Sequence, residues 1–176
     1  MHEETISSKK IYQGRMLGLR DDTVKLENGR ISNREICEHP GAVAIIAFTS
    51  DNKMVLIKQY RKPVEKVIYE VPAGLVEEGE SLKHAAVREL EEETGYRAGK
   101  IEKSIDGFTS PGYSTEILHF FIASQLKETK KNTEEDEHTE VHIVTLEKAH
   151  QMVEDGRIED NKTIVGIYLA ERYLKT

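Results

Sequence analysis

Three glutamates near the middle of the chain are spaced so that they could do chemistry together. A helix is expected around them because the residues are mostly good helix formers, with Ser81 placed to cap its start and Gly95 to end it. On such a helix Glu89, Glu92 and Glu93 stand at positions i, i+3 and i+4 and share one face. Crowded carboxylates repel one another unless cations lie between them, and hard oxygen ligands of this kind suit magnesium.

A charge run of this kind is usually just the solvated face of a helix. The spacing favours a functional interpretation instead. Reading forward, the sequence has Gly74, five residues, Glu80, seven residues, and then Arg88-Glu89-Leu90-x-Glu92-Glu93-x-Gly95. At roughly 7% usage per residue type, seven fixed positions match by chance about once in 10⁸ starts.

This pattern resembles the signature box of the Nudix hydrolases, enzymes that cleave nucleoside diphosphates linked to another moiety. Only the last position departs, where Tyr96 replaces the usual aliphatic residue, and we expect this change to affect packing more than chemistry. The resemblance covers roughly residues 41–176 and implies an α/β fold, the Nudix-type α/β/α sandwich with a mixed sheet. It also implies a backbone carbonyl ligand for the metal from Ala73, before the turn that Gly74 permits.

Composition limits the class of protein. The chain has 176 residues, 38% hydrophobic and 32% charged, which suits a globular protein with a sizeable core and no spanning helix, so we expect no membrane partner. One cysteine, Cys37, cannot form an intrachain disulfide and fits a reducing cytoplasm, where we expect the protein to reside. A net charge of −7 argues against sequence-independent nucleic-acid binding.

The chain divides into two predicted regions. Residues 1–40 are interpreted as a small antiparallel β appendage, because Asn28-Gly29 is a strong hairpin signal between two strand-like segments. Residues 41–176 are interpreted as the Nudix domain. Its predicted elements are, in order, a fully buried strand (Ala42–Thr49), a half-exposed strand (Met54–Tyr60), a strand at Lys66–Val71, the box helix, strands at Ile101–Phe108, Ile117–Ser124 and Val141–Leu146, and two closing helices (Glu147–Asp155 and Lys162–Leu174). Asn161 is expected to cap the last helix, and the residues expected to face inward from it are Ile164, Ile167, Tyr168 and Leu174.

Two features favour one substrate class. Pro111 falls sixteen residues after Gly95, a spacing similar to that of the ADP-ribose pyrophosphatases, although a plain turn proline is the simpler interpretation. The acidic stretch before Val141 is the second feature. Aligned with the corresponding loop of this subgroup, it makes Glu135 the general base and Glu137 an extra metal ligand, and a one-residue shift would exchange roles among neighbouring carboxylates.

The remaining site assignments rest on the resemblance alone. Within the box, Glu89, Glu92 and Glu93 are the expected Mg²⁺ ligands, with Mn²⁺ a candidate substitute. Arg88 is expected to orient the glutamate cluster, with a surface pair to Glu92 as the alternative. The expected substrate contacts are Arg34 and Glu35 at the adenine or ribose, Arg61 on the phosphates, Leu75 and Ser110 in the pocket, and Arg15 and Met16 from a partner subunit.

Three functions follow from the sequence. The first is Mg²⁺-dependent hydrolysis of ADP-ribose to AMP and ribose 5-phosphate by a homodimer. The second keeps the chemistry but changes the substrate to GDP-mannose or another nucleotide sugar. The third is a module that binds ADP-ribose without hydrolysing it, which ranks last because the box carboxylates are all present. Zinc, a P-loop and a serine-hydrolase elbow have no supporting motif.

Overall fold

The computed structural model describes residues 2–131 and 138–175, which form two compact units. The first unit contains Met1–Gly41 and Gly107–Leu118. The second contains Ala42–Asp106 and His119–Thr176. Of the described helices, none has both the length and the apolar character that crossing a lipid bilayer requires.

The first unit is built on a three-stranded antiparallel sheet. Its strands, in sheet order, are β1 (Glu3–Gln13), β2 (Gly18–Leu26) and β3 (Ile31–Glu38). The hairpin between β2 and β3 turns at Asn28 and Gly29, where Gly29 has a φ of 80° that a side chain would disfavour. The predicted N-terminal antiparallel sheet is therefore confirmed.

The loop after Phe108 adds to this small sheet. The backbone N–H of Cys37 donates to the carbonyl of Tyr113 at 2.7 Å, and the N–H of Thr115 donates to the carbonyl of Cys37 at 3.0 Å. These bonds give β3, which lies at the edge of the sheet, backbone partners 76 and 78 positions later in the chain. No local pattern in the sequence indicates this pairing.

The second unit is organised by a mixed sheet. Its central path runs β10-β5-β4-β9-β8, with β6 paired to β5 and β7 paired to β4. The strands are β4 (Ala42–Phe48), β5 (Met54–Arg61), β6 (Lys66–Glu70), β7 (Ala73–Leu75), β8 (Tyr96–Phe108), β9 (Ile117–Glu128) and β10 (Glu140–Val144). Strands β8 and β9 continue along the chain into residues of the first unit.

Helices cover both faces of this sheet. They are α1 (Leu82–Thr94), α2 (Leu146–Glu154) and α3 (Asn161–Leu174). Side chains alternate between faces along the fully buried β4. Val43 and Ile45 join the apolar cluster that includes α1, whereas a β-carbon on Gly166 of α3 would lie 3.3 Å from Ile46. The predicted sandwich of helices around a mixed sheet is therefore confirmed.

Two details of the predicted elements are wrong. Residues 54–57 of β5 are fully buried rather than alternating, because β5 lies inside the sheet between β10 and β4. Helix α3 buries Gly166, Ile167 and Ala170, whereas Tyr168 and Leu174, which were expected to point inward, are exposed. The reason is that α3 approaches the sheet through small side chains.

Candidate active site

Helix α1 presents the glutamates, and its ends are fixed by the predicted capping residues. The hydroxyl of Ser81 accepts the N–H of His84 at 3.3 Å. At the other end Gly95 adopts a φ of 73°, and its N–H donates to the carbonyl of Glu91. Ala86 and Leu90 are buried in the apolar cluster on one side of the helix, which fixes the direction in which the glutamates point.

Arg88 is the organising side chain of the cluster. Its Nε and Nη2 donate to the two oxygens of Glu80 at 3.0 and 2.9 Å, a bidentate pair. Its Nη1 donates to Glu89 at 2.7 Å and to Glu92 at 3.1 Å, and Nη2 also donates to the carbonyl of Leu75 at 3.0 Å. One guanidinium therefore connects the loop before α1 to two carboxylates on the helix.

Glu80 belongs to the structural part of this arrangement. Hydrogen bonds from Arg88 lower its pKa from the usual 4.5 to about 2, against the opposing effect of burial and with a further contribution from His84. The backbone N–H of Glu77 also donates to Glu80, at 3.2 Å. Glu80 thus remains ionised at all ordinary pH values and secures the loop that precedes α1.

The turn before α1 meets the glutamates directly. Gly74 lies under Glu89, since a β-carbon built on Gly74 would be 2.1 Å from the carboxyl carbon of Glu89. The backbone N–H of Ala73 donates to Oε2 of Glu93 at 2.9 Å, and the side chain of Glu93 is buried with only 3% of the residue exposed. The structure therefore brings Ala73, Glu89 and Glu93 together, although they are separated by up to twenty residues.

The chemistry of this donor set fits a magnesium ion. Three carboxylates and a neighbouring backbone carbonyl are hard oxygen donors. Because Gly74 has no β-carbon, the carboxylate of Glu89 can lie directly against the turn. Arg88 engages one oxygen of Glu89 and one of Glu92. Within residues 2–131 and 138–175, no three His, Cys, Asp or Glu side chains are arranged around one common metal position.

Part of the acidic stretch lies outside the described residues. Glu135 and Glu137, the predicted base and extra ligand, both lie in that part. Its described flanks both contact the end of α1. On one side the N–H of Thr129 donates to the carbonyl of Gly95 at 2.7 Å, and on the other the hydroxyl of Thr139 donates to the carbonyl of Glu93 at 2.8 Å. The ammonium of Lys131 donates to the carbonyl of Thr139 and joins the two flanks.

Arg61 belongs to a second polar network, centred on Glu70 at the end of β6. Its Nε and Nη2 donate to the two oxygens of Glu70 at 2.9 and 2.6 Å. Gln59 donates to Glu70 at 2.9 Å, and the ammonium of Lys162 lies 3.1 Å away. The hydrogen bonds that Arg61 donates to Glu70 raise the pKa of Arg61, and the charges of Glu70, Glu93 and Asp160 make smaller contributions in the same direction.

Apart from Leu75, which is in the second unit, the other predicted substrate contacts lie in the first unit. Arg34 of β3 donates to both oxygens of Glu3, at 3.0 and 2.5 Å, and Glu35 is exposed beside it. Arg15 and Met16 line an open cavity of about 470 Å³. Ser110 uses its carbonyl to close the turn that contains Pro111, accepting the N–H of Ser114 at 2.9 Å.

Several residues of the second unit were not found by sequence reasoning. They are Gln59, Glu70, Lys131, Thr139 and Lys162. The one available signal was Glu70 itself, a charged residue between Tyr69 and Val71, just before Pro72 and the box. Its partners come from other elements, and no spacing along the chain connects them.

Family models match nearly the whole chain. The NUDIX domain matches residues 38–164. The chain belongs to the Nudix hydrolase family. The nucleoside diphosphate sugar hydrolase N-terminal domain matches residues 3–36. This Nudix hydrolase therefore carries both parts of a nucleoside-diphosphate-sugar hydrolase, which supports hydrolysis of a nucleotide-sugar pyrophosphate as its class of reaction.

Named relatives of this Nudix hydrolase differ in function. An ADP-ribose pyrophosphatase of Bacillus subtilis (strain 168) is 46% identical, over 95% of this chain and 91% of its own length. A methanol dehydrogenase activator of Bacillus methanolicus is 47% identical, over 94% and 90%. A GDP-mannose pyrophosphatase of Yersinia enterocolitica serotype O:8 / biotype 1B is 34% identical, over 78% and 77%.

A solved structure has the same fold. The crystal structure of an ADP compounds hydrolase superposes with a TM-score of 0.89, covering 99% of this chain and 95% of the other. The two sequences are 22% identical, so the likeness concerns the fold.

Proposed function

We propose that this Nudix hydrolase cleaves ADP-ribose to AMP and ribose 5-phosphate in a magnesium-dependent reaction. The observation that carries the proposal is the placement of the three box glutamates: Arg88 binds Glu89 and Glu92, Glu89 lies against Gly74, and Glu93 accepts the N–H of Ala73. In the reaction a water oxygen bonds to one phosphorus and the bridging P–O bond breaks, so that each product keeps one phosphate. The high identity to a named ADP-ribose pyrophosphatase supports this choice of substrate.

The residues proposed to hold the metal are the three glutamates, the carbonyl of Ala73, and Glu137 from the acidic stretch. When bound, Mg²⁺ supplies charge neutralisation on the phosphate oxygens and makes water a better nucleophile, and Mn²⁺ is a candidate substitute. Glu93 is proposed to act in catalysis as well as binding. Arg88 is proposed to act by holding Glu89 and Glu92 in place.

Glu135 is proposed as the general base that accepts the proton of the attacking water. Support comes from the described flanks of the acidic stretch, because Thr129 and Thr139 both bond to carbonyls at the end of α1, close in sequence to Glu93. A base must lie within hydrogen-bond reach of the proton that it accepts. Glu134 and Asp136 are the neighbouring alternatives.

Arg61 is proposed to bind the diphosphate. Its side chain is 40% exposed, and its guanidinium is held by Glu70, so that a planar donor is presented in a defined orientation. Leu75 is proposed to line the pocket, since its carbonyl is fixed by Arg88. The first-unit residues proposed to contact substrate are Arg15, Met16, Arg34, Glu35 and Ser110, with Arg15 and Met16 serving a partner subunit.

A homodimer formed through residues 1–40 is proposed as the working state. Every residue of β1 is exposed, and Ile6, Ile11 and Tyr12 each show more than half of their surface. Exposed apolar side chains on a small sheet are a common mark of a subunit interface. Ile6→Glu is expected to shift the sedimentation mass from two chains to one, whereas Thr5→Glu on the same strand is expected to change it less.

The decisive experiment is product analysis of the purified chain with ADP-ribose, with and without Mg²⁺. Release of AMP and ribose 5-phosphate only with metal is the expected result. Binding without cleavage would support the non-hydrolytic module, and turnover of GDP-mannose in place of ADP-ribose would support the alternative substrate. Direct competition between the two substrates ranks them when both react.

Glu93→Gln gives this experiment its internal test. The change removes a charged ligand and nearly preserves shape, so turnover is expected to fall by at least about a hundredfold. Glu91→Gln, on the same helix but outside the proposed site, is the matched control and is expected to keep its activity. Near-normal turnover by the Glu93 variant would mean that the metal site is wrongly assigned.

Activation of a methanol dehydrogenase is a second candidate, favoured by the 47% identity to a protein of that name. Adding the purified chain to such a dehydrogenase tests it. A rise in dehydrogenase rate that Glu93→Gln abolishes would connect activation to the same site, and an unchanged rate would exclude the candidate.

A further inference from the structure

The buried carboxylate of Glu70 receives three side chains at once. Only 1% of the residue is exposed, and Gln59, Arg61 and Lys162 all direct a nitrogen at its oxygens. Burial by itself raises the pKa of Glu70, but the hydrogen bonds from Arg61 and the charge of Lys162 outweigh it, so the pKa lies below its usual value. An ionised carboxylate at this depth requires such partners.

Lys162 comes to Glu70 from the first turn of α3. Its side chain is 13% exposed, and its ammonium lies 3.1 Å from Glu70 and 3.1 Å from Asp160. Asp160 also caps α3 by accepting the N–H of Thr163 at 2.9 Å, and the hydroxyl of Thr163 accepts the N–H of Val71 at 2.8 Å. The start of α3 is thus hydrogen-bonded to the end of β6, and Lys162 has little freedom to move.

Charges alternate along this chain of contacts, from Asp160 through Lys162 and Glu70 to Arg61. Glu70 holds two of the three guanidinium nitrogens of Arg61. Among residues 2–131 and 138–175, no hydrogen-bond partner is found for the third nitrogen, Nη1. Arg61 is therefore fixed by two contacts and retains one donor edge for a ligand.

We propose that Lys162 is a positioning residue that acts through Glu70 to keep Arg61 available for the diphosphate of the substrate. Glu70 divides its negative charge between two cations. Without Lys162, that charge would fall on Arg61 alone, the pair would tighten, and a phosphate would have to compete with it for the guanidinium. This inference rests on the proposed role of Arg61 and assigns a function to the start of α3, which contains no proposed ligand.

The test compares variants at Lys162 with one at Lys66. Lys66 is 58% exposed and pairs with Glu159, so Lys66→Met removes a cation from the same region without touching Glu70. Lys162→Met is expected to raise KM for ADP-ribose about tenfold, with kcat changed less than about twofold. Lys162→Gln, which keeps a donor without the charge, is expected to behave alike, and Lys162→Arg is expected to restore KM. Thermal unfolding confirms that each variant is folded at the assay temperature.

A double-mutant cycle separates action through Arg61 from any other effect. In the Arg61→Gln background, Lys162→Met is expected to have almost no further effect on KM, because the residue through which it acts is gone. An equal tenfold effect in both backgrounds would overturn the proposal, as would a Lys162→Met variant that matches Lys66→Met. Failure of ADP-ribose as a substrate is recognised separately, since the unmodified chain would then release no product.

Binding without turnover gives an independent measurement. Calorimetric titration of ADP-ribose into the same variants, with a chelator present, is expected to show a Kd about tenfold higher for Lys162→Met than for the unmodified chain or Lys66→Met. The proposal would also be overturned if Arg61→Gln raised the Kd for ADP-ribose while Lys162→Met left it unchanged.

Discussion

The carboxylate of Glu89 lies where residue 74 would carry a side chain: a β-carbon on Gly74 would be 2.1 Å from the carboxyl carbon of Glu89 and 2.2 Å from each of its oxygens. Real β-carbons essentially never approach other atoms so closely. The glycine of the box is therefore required by a tertiary contact with a glutamate fifteen residues later, as well as by the shape of the turn.

Gly74→Ala tests this contact. The new methyl group is expected to displace Glu89 and to lower kcat by at least about a hundredfold, while the unfolding free energy changes by only about 1–2 kcal/mol because Glu89 is at the edge of the core. Gly107→Ala is the control, since its β-carbon would meet nothing within 4 Å. Comparable kinetics for the two alanine variants would show that the position of Glu89 is unimportant.

Arg88→Lys tests whether the fork of the guanidinium matters more than its charge. Lysine keeps the charge but cannot pair with both oxygens of Glu80 while also reaching Glu89 and Glu92. We expect kcat/KM to fall by about a hundredfold and the thermal midpoint to drop by several degrees. Arg97→Lys, at an exposed pair with Glu91, is expected to leave both quantities unchanged. Full activity in the Arg88 variant would assign Arg88 a purely electrostatic role.

The lowered pKa of Glu80 predicts that the free energy of unfolding falls in acid. Arg88 lowers its pKa to about 2, whereas the unfolded chain protonates near 4.5. The unfolded state therefore takes up a proton first as the pH falls, so the stabilisation is complete above pH 4.5 and is lost towards pH 2. It amounts to at most about 3 kcal/mol.

Urea unfolding of the unmodified chain and of Glu80→Gln between pH 6 and pH 2.5 measures this effect. The two unfolding free energies are expected to differ most at pH 6 and to converge as the pH falls, since every other carboxylate titrates in both proteins. A difference that stays constant with pH would contradict the lowered pKa.

Thr139→Val tests the attachment of the acidic stretch. The variant keeps the volume and removes the buried hydroxyl that donates to the carbonyl of Glu93. Stability is expected to fall by about 1–2 kcal/mol, because a buried carbonyl loses its partner, and kcat is expected to fall with little change in KM. Thr5→Val, at an exposed position of β1, controls for the substitution itself, and a stable variant with reduced kcat would separate attachment from folding.

Local signals identified most of the elements of this fold. Ser81 and Gly95 were predicted to bound the box helix because capping depends on a few adjacent residues, and the structure has them in those positions. The cap of α3 is Asp160 where Asn161 was expected. Both side chains can cap a helix, and only the orientation of Asp160 towards Thr163 decides between them.

Long-range packing explains what was missed. The buried face of α3 was assigned to its largest apolar residues, but the helix packs through Gly166, whose β-carbon position is 3.3 Å from both Ile46 and Val71. Glu70 was overlooked because its partners come from β5 and α3, up to 92 residues away. Hydropathy and spacing carry no information about such approaches, which only the assembled sheet creates.

The two faces of strand β4 pack against different helices, and this has a consequence for how the protein can evolve. Val43 and Ile45 pack with the helix that bears the glutamates, whereas Ile46 packs with the helix that holds the Arg61 network. We expect a substitution on one face to disturb the helix packed against it more than the helix on the other face. If the proposed roles of the glutamates and of Arg61 hold, the molecule recognised can therefore change between lineages while the hydrolytic site is inherited.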